Sequence, residues 1–324
     1  MSAIRQPGKV NEDTMLIDIG MQDICGMTAV YLVQGERKCL IDSGTRLQAS
    51  RLVKKLDELG AFPPDLIIVT HPHWDHIQGI PFLRREAARR GKKIEVLASV
   101  EAVPLMAEPS FNAIFNRGPD ESIKEVTPLR EGDIVDLGDL SLQIYDTPGH
   151  CTGHIAIYDE KNHNLFVGDA IGDKFSDSLI LPNFMPPTWD TEAFLSSVAK
   201  LRQIPYESLS LAHFGYIHGS EARDILDVSL ETYHTWWQFY EENEEQLSDT
   251  DYLLKAMRRE INPEIPLIRP MTFILKVMFP LVSAAGSLTG RRTAIIDKLV
   301  LHDLLAWLAA GYRIYKSSHE TANK

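Results

Sequence analysis

The chain has 324 residues, 44% hydrophobic and 24% charged, an ordinary globular composition long enough to bury a large core. Its formal net charge of −12 argues against a protein that tracks nucleic-acid phosphates over a broad face. Cys25, Cys39 and Cys151 form no CxxC pair, and the first residues hold no apolar signal core. A disulfide framework and a thiolate zinc site are therefore not expected, and a reducing cytoplasm is.

In chain order, residues 28–33 are rich in β-branched and aromatic side chains and predict a strand. Gly35-Glu36 turns the chain, and residues 38–41 return as a second strand that runs into Asp42-Ser43-Gly44. Leu47, Leu52, Val53, Leu56 and Leu59 keep helical spacing up to Gly60. Residues 66–69 are an unbroken apolar run, expected as a strand buried on both faces. A helix is expected over 80–90, with Pro81 in its first turn and Gly91 after it. Further strands are expected at 94–97, 134–137, 140–145, 155–158 and 165–167, then a helix over 191–202 and a strand over 209–212. Beyond Gly219 helical runs take over, at 221–245, 250–261 and 293–315, with Pro263, Pro266 and Pro270 breaking the middle. The expected organisation is an α/β catalytic domain over residues 1–218 and a helical cap or dimerisation region over 219–324. Residues 271–289 are apolar apart from Lys276, but Pro280 and Gly286 interrupt them. They read as a buried or partner-facing helix rather than a membrane span, and a homodimer through the C-terminal helices is the expected use.

The chemistry concentrates at strand ends. Directly after the apolar run comes Thr70-His71-Pro72-His73-Trp74-Asp75-His76, which brings three of the chain's eleven histidines and an aspartate into one loop. A solvated loop has no need of such crowding, whereas imidazole and carboxylate together suit zinc, iron and their neighbours. His150 follows the 140–145 strand, Asp169 follows 165–167, and His213 follows 209–212. Seven donors exceed one tetrahedral ion and suit two ions sharing a carboxylate.

This series of HxHxDH, then His, then Asp, then His resembles the metallo-β-lactamase superfamily over roughly residues 15–215. The resemblance implies a four-layer αββα sandwich with the metals at one edge, here with a C-terminal all-helical extension. It implies that His71, His73 and His150 hold a first divalent ion, and that Asp75, His76 and His213 hold a second. Asp169 would bridge the two, and Asp42 would orient a ligand of the first motif. Zinc is the expected metal, with iron or manganese as alternatives. The implied activity is hydrolysis of an ester, thioester, lactone or phosphoester in a small-molecule substrate by a hydroxide held between the ions, with Asp75 passing a proton to the leaving group.

Departures narrow the branch. Zinc β-lactamases lack a bridging aspartate like Asp169, and flavodiiron proteins carry Glu where His73 stands. Ala170-Ile171-Gly172-Asp173-Lys174 replaces the Gly-Cys-Gly element of glyoxalase II and places Gly172 where one group of acyl-homoserine lactonases has Tyr. His150 and Asp169 are too close for the insertion of the RNA-cleaving branch. The likeness is to a glyoxalase II-like hydrolase branch with a helical C-terminal extension, which fixes no substrate. Two rival readings remain: a mononuclear iron persulfide dioxygenase, and a non-catalytic metal-binding protein of the same fold. Of the other candidates, His154 reads as a packing or hydrogen-bonding residue, His218 as a surface residue, and Cys151 as adjoining a ligand without being one. Trp236, Trp237, Phe239 and Tyr240 read as helix core, with a lid or acyl-binding wall as the alternative.

Overall fold

The computed structural model describes residues 3–21, 25–117, 121–174, 180–261 and 294–322. Among these, one sheet runs in the order β1 (Gly8–Lys9), β2 (Thr14–Asp18), β3 (Ala29–Gln34), β4 (Lys38–Ile41), β5 (Leu66–Ile68), β6 (Glu95–Ser99) and β7 (Val126–Leu129). The second is built from β8 (Ile134–Asp136), β9 (Ser141–Asp146), β10 (Ile155–Asp159) and β11 (Asn164–Gly168). After a short ribbon, β12 (Asp173–Lys174) and β13 (Ile180–Leu181), it is completed by β14 (Ser208–Leu211) and β15 (Gly215–His218), in the spatial order β15-β14-β11-β10-β9-β8. The first sheet is antiparallel up to β4 and parallel from β4 to β7. In the second, β11 and β14 are parallel neighbours.

The alternation of side chains along each strand sorts the apolar residues into two sets. Tyr31, Cys39, Ile41, Leu66 and Ile68 meet Ile144, Ile155, Ile157 and Phe166 between the sheets. Val30, Leu32, Leu40 and Ile67 face outward, against α1 (Ala49–Glu58), α3 (Ile80–Arg89) and α4 (Ala102–Ala107). Tyr158, Leu165, Val167 and Leu209 face outward from the second sheet against α5 (Thr191–Leu201), α6 (Ser220–Glu242), α7 (Thr250–Glu260) and α8 (Ala294–Ala322). Both sheets are covered on both faces, which is why their central strands read as continuous apolar runs. The result is the expected αββα sandwich with a helical C-terminal region. Residues 271–289, read from sequence as a buried or partner-facing helix, and Pro263, Pro266 and Pro270 lie outside the described residues.

The aromatic cluster on α6 is core: Trp236, Phe239 and Tyr240 are buried, and α8 contributes Leu305, Leu308, Ala309 and Tyr312 to the same core. Gly311 lets α8 approach the chain after β13. A Cβ there would stand 2.0 Å from the Phe184 carbonyl oxygen.

Candidate metal centre

Parallel pairing places strand ends side by side. Ile41 of β4 pairs with Ile68 of β5, so Asp42 and Thr70 leave the sheet together. On the other sheet Gly168 pairs with Leu211 across a register shift, which brings Asp169 and His213 to one rim. Backbone hydrogen bonds join the two rims: the Ile155 N–H donates to Thr70 O at 2.8 Å, and the Ala29 N–H donates to Ala212 O at 2.8 Å. After β5 the chain passes through His73 in extended conformation and enters the single-turn helix α2 (Trp74–Ile77), which carries Asp75 and His76.

The seven donor residues are all buried, and the structure draws them together from both sheets. Asp169 Oδ2 stands 3.7 Å from His71 Nε2 and 3.6 Å from the Nε2 atoms of His76, His150 and His213. Asp75 Oδ2 is 3.3 Å from His213 Nε2, and its Oδ1 is 3.8 Å from His76 Nε2. Three overlapping groups have donor atoms within 4.8 Å of one another: His71, His73, His150 and Cys151; His71, His76 and Asp169; and Asp75, His76 and His213.

Four of the five imidazoles are held from behind. Asp42 accepts hydrogen bonds from the Thr70 N–H and Oγ1, both at 2.8 Å, and faces His76 Nδ1 at 2.9 Å. Thr70 Oγ1, with its own proton directed to Asp42, receives His71 Nδ1 at 3.1 Å. His150 Nδ1 faces the Asn183 carbonyl at 2.8 Å, and His213 Nδ1 faces that of Met27 at 2.5 Å. These acceptors place a proton on Nδ1 of all four rings and turn Nε2 inward, where it carries a lone pair whenever the ring is neutral.

The donor set fits a cation on its own geometry. The buried Nε2 atoms of His71, His73 and His76, and Oδ1 of Asp169, have no hydrogen-bond partner. His73 Nδ1 lies 2.8 Å from His150 Nε2. Burial and neighbouring imidazoles hold His71 and His73 well below the ordinary histidine range, and burial lowers His150 despite Asp169. These rings resist a proton, so a metal ion is the group that relieves the facing lone pairs. The other two rings differ. Burial opposes charge on His76 and His213, but the surrounding carboxylates outweigh it: Asp169, Asp42 and Asp75 hold His76 well above its ordinary value, and Asp169, Asp173 and Asp75 raise His213 to about 10. Burial disfavours charge on Asp75 as well, yet His76 and His213 hold its carboxyl below the usual range.

Three residues take on roles that sequence alone left undeveloped. His154 accepts a hydrogen bond from the Asp169 N–H on Nε2 at 3.1 Å, while its Nδ1 faces Thr147 Oγ1 at 2.8 Å, so it fixes the backbone that presents Asp169. Gly168 makes this approach possible, since its φ is +50° and a Cβ would stand 2.8 Å from His154 Nε2. The Cys151 sulfur lies among the first three imidazoles, and burial, reinforced by Asp169, raises its thiol well above the usual range. Asp173 accepts from Asn183 Nδ2 at 2.9 Å, and burial, against the pull of His213, raises it well above the carboxylate range. Its place four residues after Asp169, in a GDxxGD run, was the available signal. His218 is exposed at the end of β15.

The donors open into a cleft of about 550 Å³, part of it open to solvent. Its walls come from distant parts of the chain: Met21 and Met27, Phe115 of the 3-10 helix Pro109–Phe115, Met185, and Leu304 and Trp307 of α8. Among the described residues, the aromatic ones at the cleft are thus Trp74, Phe115 and Trp307, not the α6 cluster. Arg117 lies over Trp74 and Trp307, 5.6 and 4.8 Å from their ring centroids, and donates to Asp303 at 2.6 Å.

The fold and the rim of donors define a metallo-β-lactamase-type sandwich. The profile of the metallo-β-lactamase superfamily matches residues 23–213, and the chain belongs to that superfamily. It is 32% identical over 125 residues to a hydroxyacylglutathione hydrolase of Methylobacterium nodulans, covering 38% of this chain and 40% of the relative. It is 28% identical over 162 residues to the acyl-coenzyme A thioesterase MBLAC2 of Homo sapiens, covering 44% and 58%. The chain thus matches about half the length of these relatives. Among solved structures, a metallo-β-lactamase superfamily protein from Sulfolobus tokodaii superposes with a TM-score of 0.55 at 21% identity, over 68% of this chain and 86% of the other. A B3 metallo-β-lactamase with an active-site glutamic acid gives 0.56 at 20% identity, over 72% and 90%. These two likenesses concern the fold.

Proposed function

We propose that the chain is a metal-dependent hydrolase that holds two divalent ions. His71, His73 and His150 hold one, Asp75, His76 and His213 hold the other, and Asp169 is shared between them. One observation carries this reading: a single oxygen of Asp169 stands 3.6–3.7 Å from the inward nitrogens of four histidines drawn from both groups. The hydrolase and thioesterase names of the relatives support it. Imidazole and carboxylate donors suit zinc and admit iron or manganese. When bound, such ions supply water activated to a pKa near 7 and polarise the group under attack.

The chain's own residues do the rest. Asp42 locks His76 directly and His71 through Thr70, which keeps their lone pairs aimed inward. Asp75 remains a carboxylate at neutral pH and is placed to take a proton and return it to a leaving group. Among the described residues, Arg117 is the one lysine or arginine along the cleft, and it is already paired with Asp303. A phosphodiester would find little countercharge beyond the ions, so a carbonyl substrate (ester, thioester or lactone) fits better. The dimer reading rests on residues 271–289, outside the described residues, and on the helix expected over 293–315, whose described part, α8, packs Leu305, Leu308 and Tyr312 into the chain's own core. Among the described residues no helix is long and apolar enough to cross a membrane.

Metal quantification on purified protein, followed by a panel of thioesters, esters, lactones and phosphodiesters, tests the reading. Two ions per chain and turnover of a carbonyl substrate are expected, with Asp169→Ala losing one ion and at least a hundredfold in rate. One iron per chain with oxygen uptake on glutathione persulfide, or unchanged turnover in Asp169→Ala, would overturn it.

A further inference from the structure

We infer that the wall contributed by α8 receives the apolar acyl group of the substrate, and that Leu304 and Trp307 set its length. The assignment of that group to an acyl substrate rests on the hydrolase reading; the pocket itself is read from its lining. Outside the metal donors, the cleft is lined mainly by Met21, Met27, Phe115, Met185, Leu304 and Trp307.

Among the described residues, the polar groups in that lining beyond the donors are few, Asn183, Asp173 and Arg117, of which Arg117 Nε is buried without a hydrogen-bond partner. Asn183 Nδ2 donates to Asp173 at 2.9 Å and reaches the Asp169 carbonyl at 3.3 Å, while the Arg117 guanidinium is paired with Asp303 and lies over two indoles. A polar carrier such as a peptide-like thiol would find little to bond there, whereas a hydrocarbon chain would lose no hydrogen bond on entering. Three methionines give the wall an adaptable surface, since the thioether side chain repacks around ligands of different shape. Trp307 stands against Phe115 at 5.2 Å and Trp74 at 6.5 Å between ring centroids. Trp74 is flanked in sequence by the donors His73 and Asp75, so Trp307 reaches the side of the donor loop. The Arg117–Asp303 pair ties α8 to the segment just beyond the 3-10 helix, and so fixes Trp307 relative to Phe115. The wall is therefore continuous from the donor loop to α8, which is the arrangement that would measure a straight chain.

The test is calorimetric titration of the metal-loaded full chain with straight-chain carboxylates from acetate to decanoate, paired with turnover of the matching p-nitrophenyl esters. Each methylene placed in the wall is expected to raise affinity about fourfold until the pocket is full. Trp307→Ala should move that plateau to longer chains and Leu304→Trp to shorter ones, shifts that a merely destabilised protein would not show. Affinity independent of chain length in the unaltered protein overturns the inference, whether or not the variants fold. An unchanged plateau in both folded variants overturns the role of α8. The two readings separate: chain-length-dependent binding supports the pocket whether or not these esters turn over, whereas turnover with flat length dependence supports the hydrolase and rejects the pocket.

Discussion

Asp42 has φ of +63°, in the left-handed region that few non-glycine residues adopt. The strain is matched by three hydrogen-bonding contacts to its carboxylate, from the backbone and hydroxyl of Thr70 and from His76. From sequence, Asp42-Ser43-Gly44 is compatible with an ordinary turn, and only the family resemblance implied more. The crowding of donors in residues 71–76 was legible because they share one loop. His154 is the hydrogen-bonding residue expected from sequence, but its partner was not legible, because it depends on the Asp169 backbone and on a glycine 14 residues away. The same cluster makes a prediction about protons. Without metal, His213 is protonated at pH 7.5, since its folded value is raised to about 10, and His76 is raised in the same sense. A group raised in this way contributes stability that is full below its unfolded value near 6.5 and fades as pH climbs through 10. Metal needs both Nε2 lone pairs, so binding at pH 7.5 should release protons from these rings. Calorimetry in two buffers of different ionisation enthalpy reads this directly; zero release would contradict the charge state assigned to the two rings.

At the level of elements, the strands that build the rim were readable as apolar runs, within a residue or two of their observed ends. The short strands β1, β2, β7, β12, β13 and β15 were missed. β7 (Val126–Leu129) contains Pro128 and lies at a sheet edge, where a proline is tolerated but the sequence signal is weak. The helices of the C-terminal region were visible from their spacing. Their use was not, because no local pattern shows that Leu304 and Trp307 will reach a loop more than 200 residues earlier. Gly311 is decisive for how α8 lies. Alanine there would gain about 1 kcal/mol in helix propensity. Against this, its Cβ would stand 2.0 Å from a backbone oxygen that cannot simply rotate away, and such overpacking costs about 1–3 kcal/mol. Gly311→Ala is therefore expected to lower the denaturant midpoint, and a rise would show that α8 has room to move.

For the molecule as a whole, the helical layer over the second sheet is continuous with the C-terminal helices. Tyr312 is fully buried, with Trp237 at 4.8 Å and Tyr240 at 5.8 Å between ring centroids. Tyr312→Ala should cost about 3–5 kcal/mol, as aromatic truncations in cores do. If residues 219–324 folded apart from the sandwich, chemical denaturation of this variant would split into two transitions. A shared core predicts that one transition moves as a unit. Composition bounded this scale correctly as a large globular core, but it could not show that the core is shared across the boundary expected at residue 218.

The position of Phe184 links these scales. Its carbonyl abuts Gly311 on α8, and the carbonyl of the preceding residue, Asn183, holds His150 Nδ1. A displacement of the helix therefore tugs on a histidine of the donor set through two adjacent peptide units. Equilibrium coupling of this kind is reciprocal: by whatever factor an occupant of the wall strengthens metal retention, bound metal strengthens the hold on that occupant. Gly311→Ala, which forces the contact apart, should weaken both, and by related amounts.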